Sequence, residues 1–204
     1  MRKLKKNFRR TGRSTGSRKI RESIIVFCEG DTEEGYFTEF RVRTKSMKGG
    51  CALTVVENSK RWIDHNKAFA RYDQLWVVFD KDESTDEEFN QAICKAKEYG
   101  LNVAYSNGSF ELWVLFHFEK VEHEILRQEF ELRIKKHLRW YRERNKGKKQ
   151  GEKLFDHLKE FTNVAIKNAK IRFQQVGDHS NPALEVSSTT VFNLVDILIR
   201  RNNN

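Results

Sequence analysis

Four carboxylates stand where their spacing could do chemistry. Glu29 and Glu33 fall in IIVFCEGDTEE, residues 24–34, and Asp80 and Asp82 fall in LWVVFDKDES, residues 75–84. Each pair follows an apolar run that reads as a buried strand, so Glu29 and Asp80 are held rigidly at strand tips, while Glu33 lies at the start of the following helix. In open α/β sheets, ligands sit outside the carboxyl ends of the strands, where such tips converge. Several carboxylates cannot share a small pocket uncompensated, because like charges repel strongly at low dielectric. A hard divalent cation resolves that conflict. Mg²⁺ takes oxygen ligands, keeps several waters, and needs only one or two protein carboxylates beside substrate phosphates. The pattern therefore predicts phosphate chemistry at Mg²⁺ or Mn²⁺. Gly30 is expected to turn the chain sharply after Glu29 and to let a phosphate or metal approach the backbone. Two blander accounts compete. Acids also gather at helix N-termini because the dipole favours them there. Asp80 could instead serve phosphotransfer as a nucleophile, which needs a lysine on a later strand that the sequence does not supply.

The elements that must position these acids are read from hydrophobic periodicity. Ile24–Cys28 predicts a buried strand, and residues 32–45 a helix capped by Thr32, with Tyr36, Phe37, Phe40 and Val42 near helical spacing. After a turn at 47–50, residues 51–57 alternate toward a second strand, and residues 60–71 suggest a short helix. Gln74–Phe79 predicts a third strand, residues 84–99 a helix capped by Ser84 or Thr85 and closed by Gly100, and Leu101–Tyr105 a fourth strand. This alternation implies parallel, right-handed crossovers and a sheet covered by helices. The second half predicts two charged helices, 123–144 and 152–173, split by a loop GKKQG at 147–151. Asn181–Pro182 breaks the chain before a last amphipathic helix, 188–200. The expected organisation is a basic flexible arm over 1–21 and one α/β domain over 22–204, with a helical extension at about 120–175.

The chain has 204 residues and a formal net charge of +10. Residues 1–21 hold ten Lys or Arg and no acid, which leaves 29 of the 39 basic residues against all 29 acids. The excess thus belongs to an arm without periodicity, read as disordered and suited to attract phosphate or merely to aid solubility. The body is polarised too: eleven acids against four basic residues over 80–124, then eleven basic against four acidic over 127–153. No apolar run approaches the span of a bilayer, and the N-terminus lacks a signal-peptide pattern. Cys28, Cys51 and Cys94 have no paired spacing, so buried free thiols in a reducing cytoplasm are expected rather than disulfides or zinc.

Other residues carry weaker signals. His117 and His123 read as structural or solvent-facing, and His179, just before Asn181–Pro182, could approach the site. Phe110, Trp113, Phe116 and Phe118 read as core rather than as a base-stacking platform. Trp140 and Tyr141 interleave with Arg139, Arg142 and Arg144, and with Lys148 and Lys149 nearby these are the candidates for substrate contact, against the plainer account of a solvated helix. Lys81, between the two aspartates, faces a phosphate or balances the acids.

The motifs together resemble a known fold. A strand ending in Glu-Gly, a helix, and a later strand ending in Asp-x-Asp resemble the Toprim domain of topoisomerases, primases and OLD-family nucleases. VFCEGDTEEGYF (26–37), LWVVFDKDES (75–84), SNGSFELWVLFHFE (106–119) and the late NP…TTVFNLVDIL (181–198) resemble the RloB-like proteins, small Toprim proteins of bacterial defence loci. The resemblance spans nearly the whole chain. It implies that Glu29 is general base or metal ligand, that Asp80 and Asp82 bind metal, that Glu33 and Glu111 complete the site, and that Ser109 contributes to it. One departure is visible: Gly108 stands where the family commonly has proline. The resemblance further implies a cytoplasmic, metal-dependent nuclease acting on RNA or DNA, working as anti-phage effector beside an ABC-type ATPase. The chain has no G-x-x-x-x-G-K-[ST] loop of its own. A non-catalytic subunit that binds nucleic acid or the partner is the alternative.

Overall fold

Ile24–Cys28 (β1) is apolar at every position because both its faces are covered, and all five residues are buried. The computed structural model describes residues 22–67, 71–82, 84–141 and 147–203. The basic arm expected over 1–21 lies outside the described residues, as do Arg142 and Arg144. β1 runs parallel to Arg43–Ser46 (β2) on one side and to Gln74–Asp80 (β3) on the other. β3 is parallel in turn to Asn102–Ser106 (β4), giving the order β2-β1-β3-β4. The register sets Cys28 opposite Val78 and Asp80 opposite Ser106. Glu29 and Asp80 therefore emerge at the same edge of the sheet, on its two central strands.

Helices cover both faces. Ala52–His65 (α2) and Asp86–Glu98 (α3) pack on Ile25, Phe27, Val77 and Phe79. The other face, Val26, Cys28, Trp76, Val78 and Ala104, is covered from Asp31–Thr38 (α1), Glu111–Phe116 (α4) and Val191–Asn203 (α8). Arg127–His137 (α5), Lys148–Leu158 (α6) and Thr162–Gln175 (α7) extend the same apolar cluster outward. The expected α/β fold with a parallel sheet between helices, continued by a helical C-terminal part, is what forms. Thr85 caps α3 in a capping box with Glu88, and Gly100 follows its end.

Several elements differ from expectation, among them the helix expected over 152–173, which is two, α6 and α7. The second strand is the polar edge strand β2, not residues 51–57, which begin α2. Ala52, Val55, Val56, Ser59 and Ile63 are its buried residues, a helical period that two adjacent valines disguise as strand. α1 ends at Thr38, and Gly30, not Thr32, holds its N-cap position. Lys148–Gly151 is the first turn of α6 rather than a loop. Its reason is packing: a Cβ on Gly151 would lie 1.9 Å from the Thr32 carbonyl oxygen, and one on Gly35 would lie 2.1 Å from that of Lys148. Only glycines let α1 and α6 approach so closely. The cysteines are free, but only Cys28 is buried; Cys51 is half-buried and Cys94 exposed.

The C-terminal segment clasps the outer edge of β4. Thr190 N–H donates to the Tyr105 carbonyl (2.8 Å) and Asn107 N–H to that of Ser188 (2.8 Å). Inside the clasp, buried Glu185 accepts from the Tyr105 hydroxyl and lies 3.0 Å from His179 Nδ1. His179 stacks on Phe173 and takes no part in the acidic pocket. His117 is buried in the core, His123 is exposed, and Phe110, Trp113 and Phe116 are core. Among the described residues no helix is long and apolar enough to cross a membrane.

Candidate functional site

At the carboxyl edge of the sheet a pocket of about 360 Å³ is lined by Glu33, Asp80, Asp82 and Glu111, with Ser109, Tyr141 and Gln150 beside them. Each acid arrives by a different route. Glu29 follows β1, and its own N–H is fixed by the Val78 carbonyl (3.0 Å). Its Oε2 accepts from the backbone N–H of Asp80 (2.9 Å), which ties the tips of the central strands together. Asp80 Oδ2 accepts from the N–H of Phe110 (2.8 Å), so the loop entering α4 is pinned to β3. Glu33 projects from the first turn of α1. Glu111 opens α4 and accepts from the Tyr141 hydroxyl (2.7 Å).

The electrostatics are those of crowded acids. Burial pushes the Glu33 carboxyl up to about 7; the N–H groups of Glu33 and Gly30 oppose the rise, and Glu111 and Glu29 add to it. Asp80 is held well above the ordinary aspartate range by burial first, then by Glu33, Glu29 and Glu111. Four carboxylates thus feel one another, and two of them resist ionising. Asp82 stands further along the loop. Its N–H donates to the Gly108 carbonyl (3.1 Å), and it lines both this pocket and an adjoining hollow.

A family model described as RloB-like protein matches residues 24–198. The chain belongs to the RloB-like family. No curated protein and no solved structure matches it.

Within this RloB-like chain the predicted residues divide. Glu29, Glu33, Asp80 and Glu111 converge, Asp82 borders them, and Ser109 lines the pocket with a residue exposure of 7 %. Lys81 turns away: its Nζ donates to the Ala183 carbonyl (2.7 Å) and pairs with Asp86 (2.7 Å). Arg139 is exposed and does not line the pocket. Lys148 and Lys149 are exposed at the start of α6, Lys148 lying 3.9 Å from Glu34. The Lys153 ammonium sits 3.9 Å from the ring centre of half-buried Trp140.

Two glycines act otherwise than expected. Gly30 has φ −120°, which any residue adopts. A Cβ there would meet the Glu33 carboxylate at 2.6 Å, so its bareness makes room for that acid rather than for a sharp turn. Gly108 has φ +126°, a conformation closed to proline, and its carbonyl receives Asp82. Gln150, buried at 4 % exposure and lining the pocket, is absent from the sequence reading. Gly151, Leu154 and Leu158 recur at helical spacing and could have placed it on a helix starting near 148.

The donor set suits a hard cation, since every acid offers oxygen. Among the described residues no three Asp, Glu, His or Cys side chains are drawn together tightly enough to cage a metal ion by themselves.

Proposed function

We propose that this RloB-like protein is a Toprim-like, metal-dependent nuclease that hydrolyses phosphodiester bonds of RNA or DNA. We further propose that it is the cytoplasmic effector of a bacterial anti-phage system that includes an ABC-type ATPase. The observation that carries the reading is the crowding of Glu29, Glu33, Asp80 and Glu111 at the carboxyl edge of the sheet, where the last three line one pocket and Glu33 and Asp80 are forced upward in pKa. Clustering of this kind is unfavourable for folding alone and points to a functional site.

Glu29, Asp80 and Asp82 would hold Mg²⁺ or Mn²⁺, whose chemistry is to polarise the scissile phosphate and stabilise the leaving oxygen. The chain's own residues do the rest. The hydrogen bond from Asp80 N–H to Glu29 fixes the spacing of two acids. Phe110 N–H orients Asp80, and the Tyr141 hydroxyl orients Glu111. Glu33, whose carboxyl burial raises to about 7, would exchange a proton with an attacking water. Lys148, Lys149 and the arm would contact phosphates without reading sequence.

The lack of a ready three-carboxylate cage also favours a second reading, a non-catalytic subunit that binds nucleic acid or the ATPase. The experiment that separates them is done in cells. The chain is expressed with and without its neighbouring ATPase, as wild type and as Glu29→Ala, and RNA ends and DNA breaks are sequenced after infection. New ends that vanish in the variant support the nuclease and name its substrate. Protection that survives in the variant, with no new ends in either, refutes it.

A further inference from the structure

The start of α6 carries charge of the wrong sign for a helix N-terminus. Its first turn holds Lys148 and Lys149 and no acid, where the dipole already concentrates positive charge. Gly147 supplies no side-chain cap. The N–H groups of Gln150 and Gly151 turn back to the Gly147 carbonyl, while those of Lys148 and Lys149 have no hydrogen-bond partner among the described residues. An open helix end alone decides nothing. Gln150 is the second observation. It is 4 % exposed and lines the acidic pocket with Gly147, yet its amide has no hydrogen-bond partner among the described residues. The amide of this nearly enclosed residue is left to the pocket, where water or a ligand can complete it. Asp31 and Glu34 of α1 stand nearby, the first with Oδ2 3.7 Å from a Cβ built on Gly147, the second 3.9 Å from Lys148 Nζ. They offset the lysines without satisfying the amide.

We propose that the first turn of α6 is a phosphate-binding subsite for a nucleic-acid backbone. The Gln150 amide and the N–H groups of Lys148 and Lys149 donate to a phosphate adjacent to the one held at the carboxylates. This rests on the nuclease reading, and it deepens it by naming what lets a polyanion settle beside four acids. A helix N-terminus with unspent N–H groups is suited to phosphate, and the two ammonium groups add attraction without sequence readout.

The test uses the full chain in Ca²⁺ in place of Mg²⁺, with labelled single-stranded RNA and DNA oligonucleotides. Binding anisotropy and melting temperature are measured for wild type, Gln150→Met and Gln150→Glu. Gln150→Met should bind about tenfold more weakly, the loss of one hydrogen bond to a charged group, with a melting temperature no lower than wild type. Gln150→Glu, of the same shape but without the donor, should lose more. Inorganic phosphate should compete with the oligonucleotide on wild type and fail to stabilise Gln150→Met. Affinity within about twofold of wild type overturns the proposal, as does a loss that tracks a fall in melting temperature. If inorganic phosphate senses Gln150 and the oligonucleotide does not, the site serves a free anion and the proposal falls. None of these readouts needs turnover. A chain that binds through Gln150 and cleaves nothing sinks the nuclease reading alone.

Discussion

Replacing Glu33 by glutamine should stabilise the metal-free protein, and only at the pH where Glu33 would be charged. The folded chain holds the Glu33 proton to about 7, against the ordinary 4.5. Between those values the folded state binds more protons than the unfolded one, so stability falls as pH rises. The shift of about 2.5 units corresponds to about 3 kcal/mol, which partial solvent access reduces to about 2 kcal/mol. For a chain of this size that is a melting shift of about 4–8 °C. The assay is thermal melting followed by circular dichroism in EDTA. At about pH 8 Glu33→Gln should melt higher by that amount, and at about pH 5 the two proteins should nearly coincide. Mg²⁺ added at the higher pH should raise wild type more than the variant, because it offsets the charge the variant lacks. An equal difference at both pH values, or a variant that melts lower at about pH 8, would show that Glu33 is not a strained charge.

Gly151→Ala should cost about 3 kcal/mol in urea denaturation, because its Cβ meets backbone of α1 rather than a movable side chain; unchanged stability would refute the close packing. His117 is buried with Nε2 unpartnered among the described residues, and burial lowers its pKa to about 4. Wild type should therefore lose up to about 3 kcal/mol as pH falls from about 6.5 to about 4, a slope that His117→Leu should flatten in denaturation at several pH values. Tyr105→Phe removes the hydroxyl donor to buried Glu185 and should cost about 1–3 kcal/mol by the same assay. Glu29→Gln should remove metal-dependent cleavage while melting within about 4 °C of wild type, since the amide oxygen can still accept from Asp80 N–H.

Long apolar runs made the sheet legible. Ile24–Cys28 and Gln74–Phe79 announce buried parallel strands, and the acids at their ends follow by position alone. Glu111 entered through family likeness, not through any periodicity. β2 was not legible, because Arg43–Ser46 is a polar edge strand whose partner lies on one side only. α2 was misread because Val55-Val56 looks like strand while the helical face is set by residues four and seven apart. Gln150 was hidden for a different reason. A Lys-Lys-Gln-Gly run has the composition of a loop, and only the packing of Gly151 on α1 shows it to be a helix start. Lys81 illustrates the limit of sequence adjacency, since it sits between two site aspartates and bonds to Ala183, about a hundred residues on.

The clasp on β4 bears on when the protein can come to life. Ribosomes release a chain from its N-terminus, and early segments fold as they emerge. Here Asp80, Asp82 and Ser109 are all made well before residues 181–190, yet Lys81 rests on Ala183 and the edge of β4 on Ser188 to Thr190. A nascent chain that has translated its acids still lacks the strap that seats their loop. On the nuclease reading, the ribosome thus holds this enzyme unarmed until residues 181–190 emerge, and their arrival is the arming step.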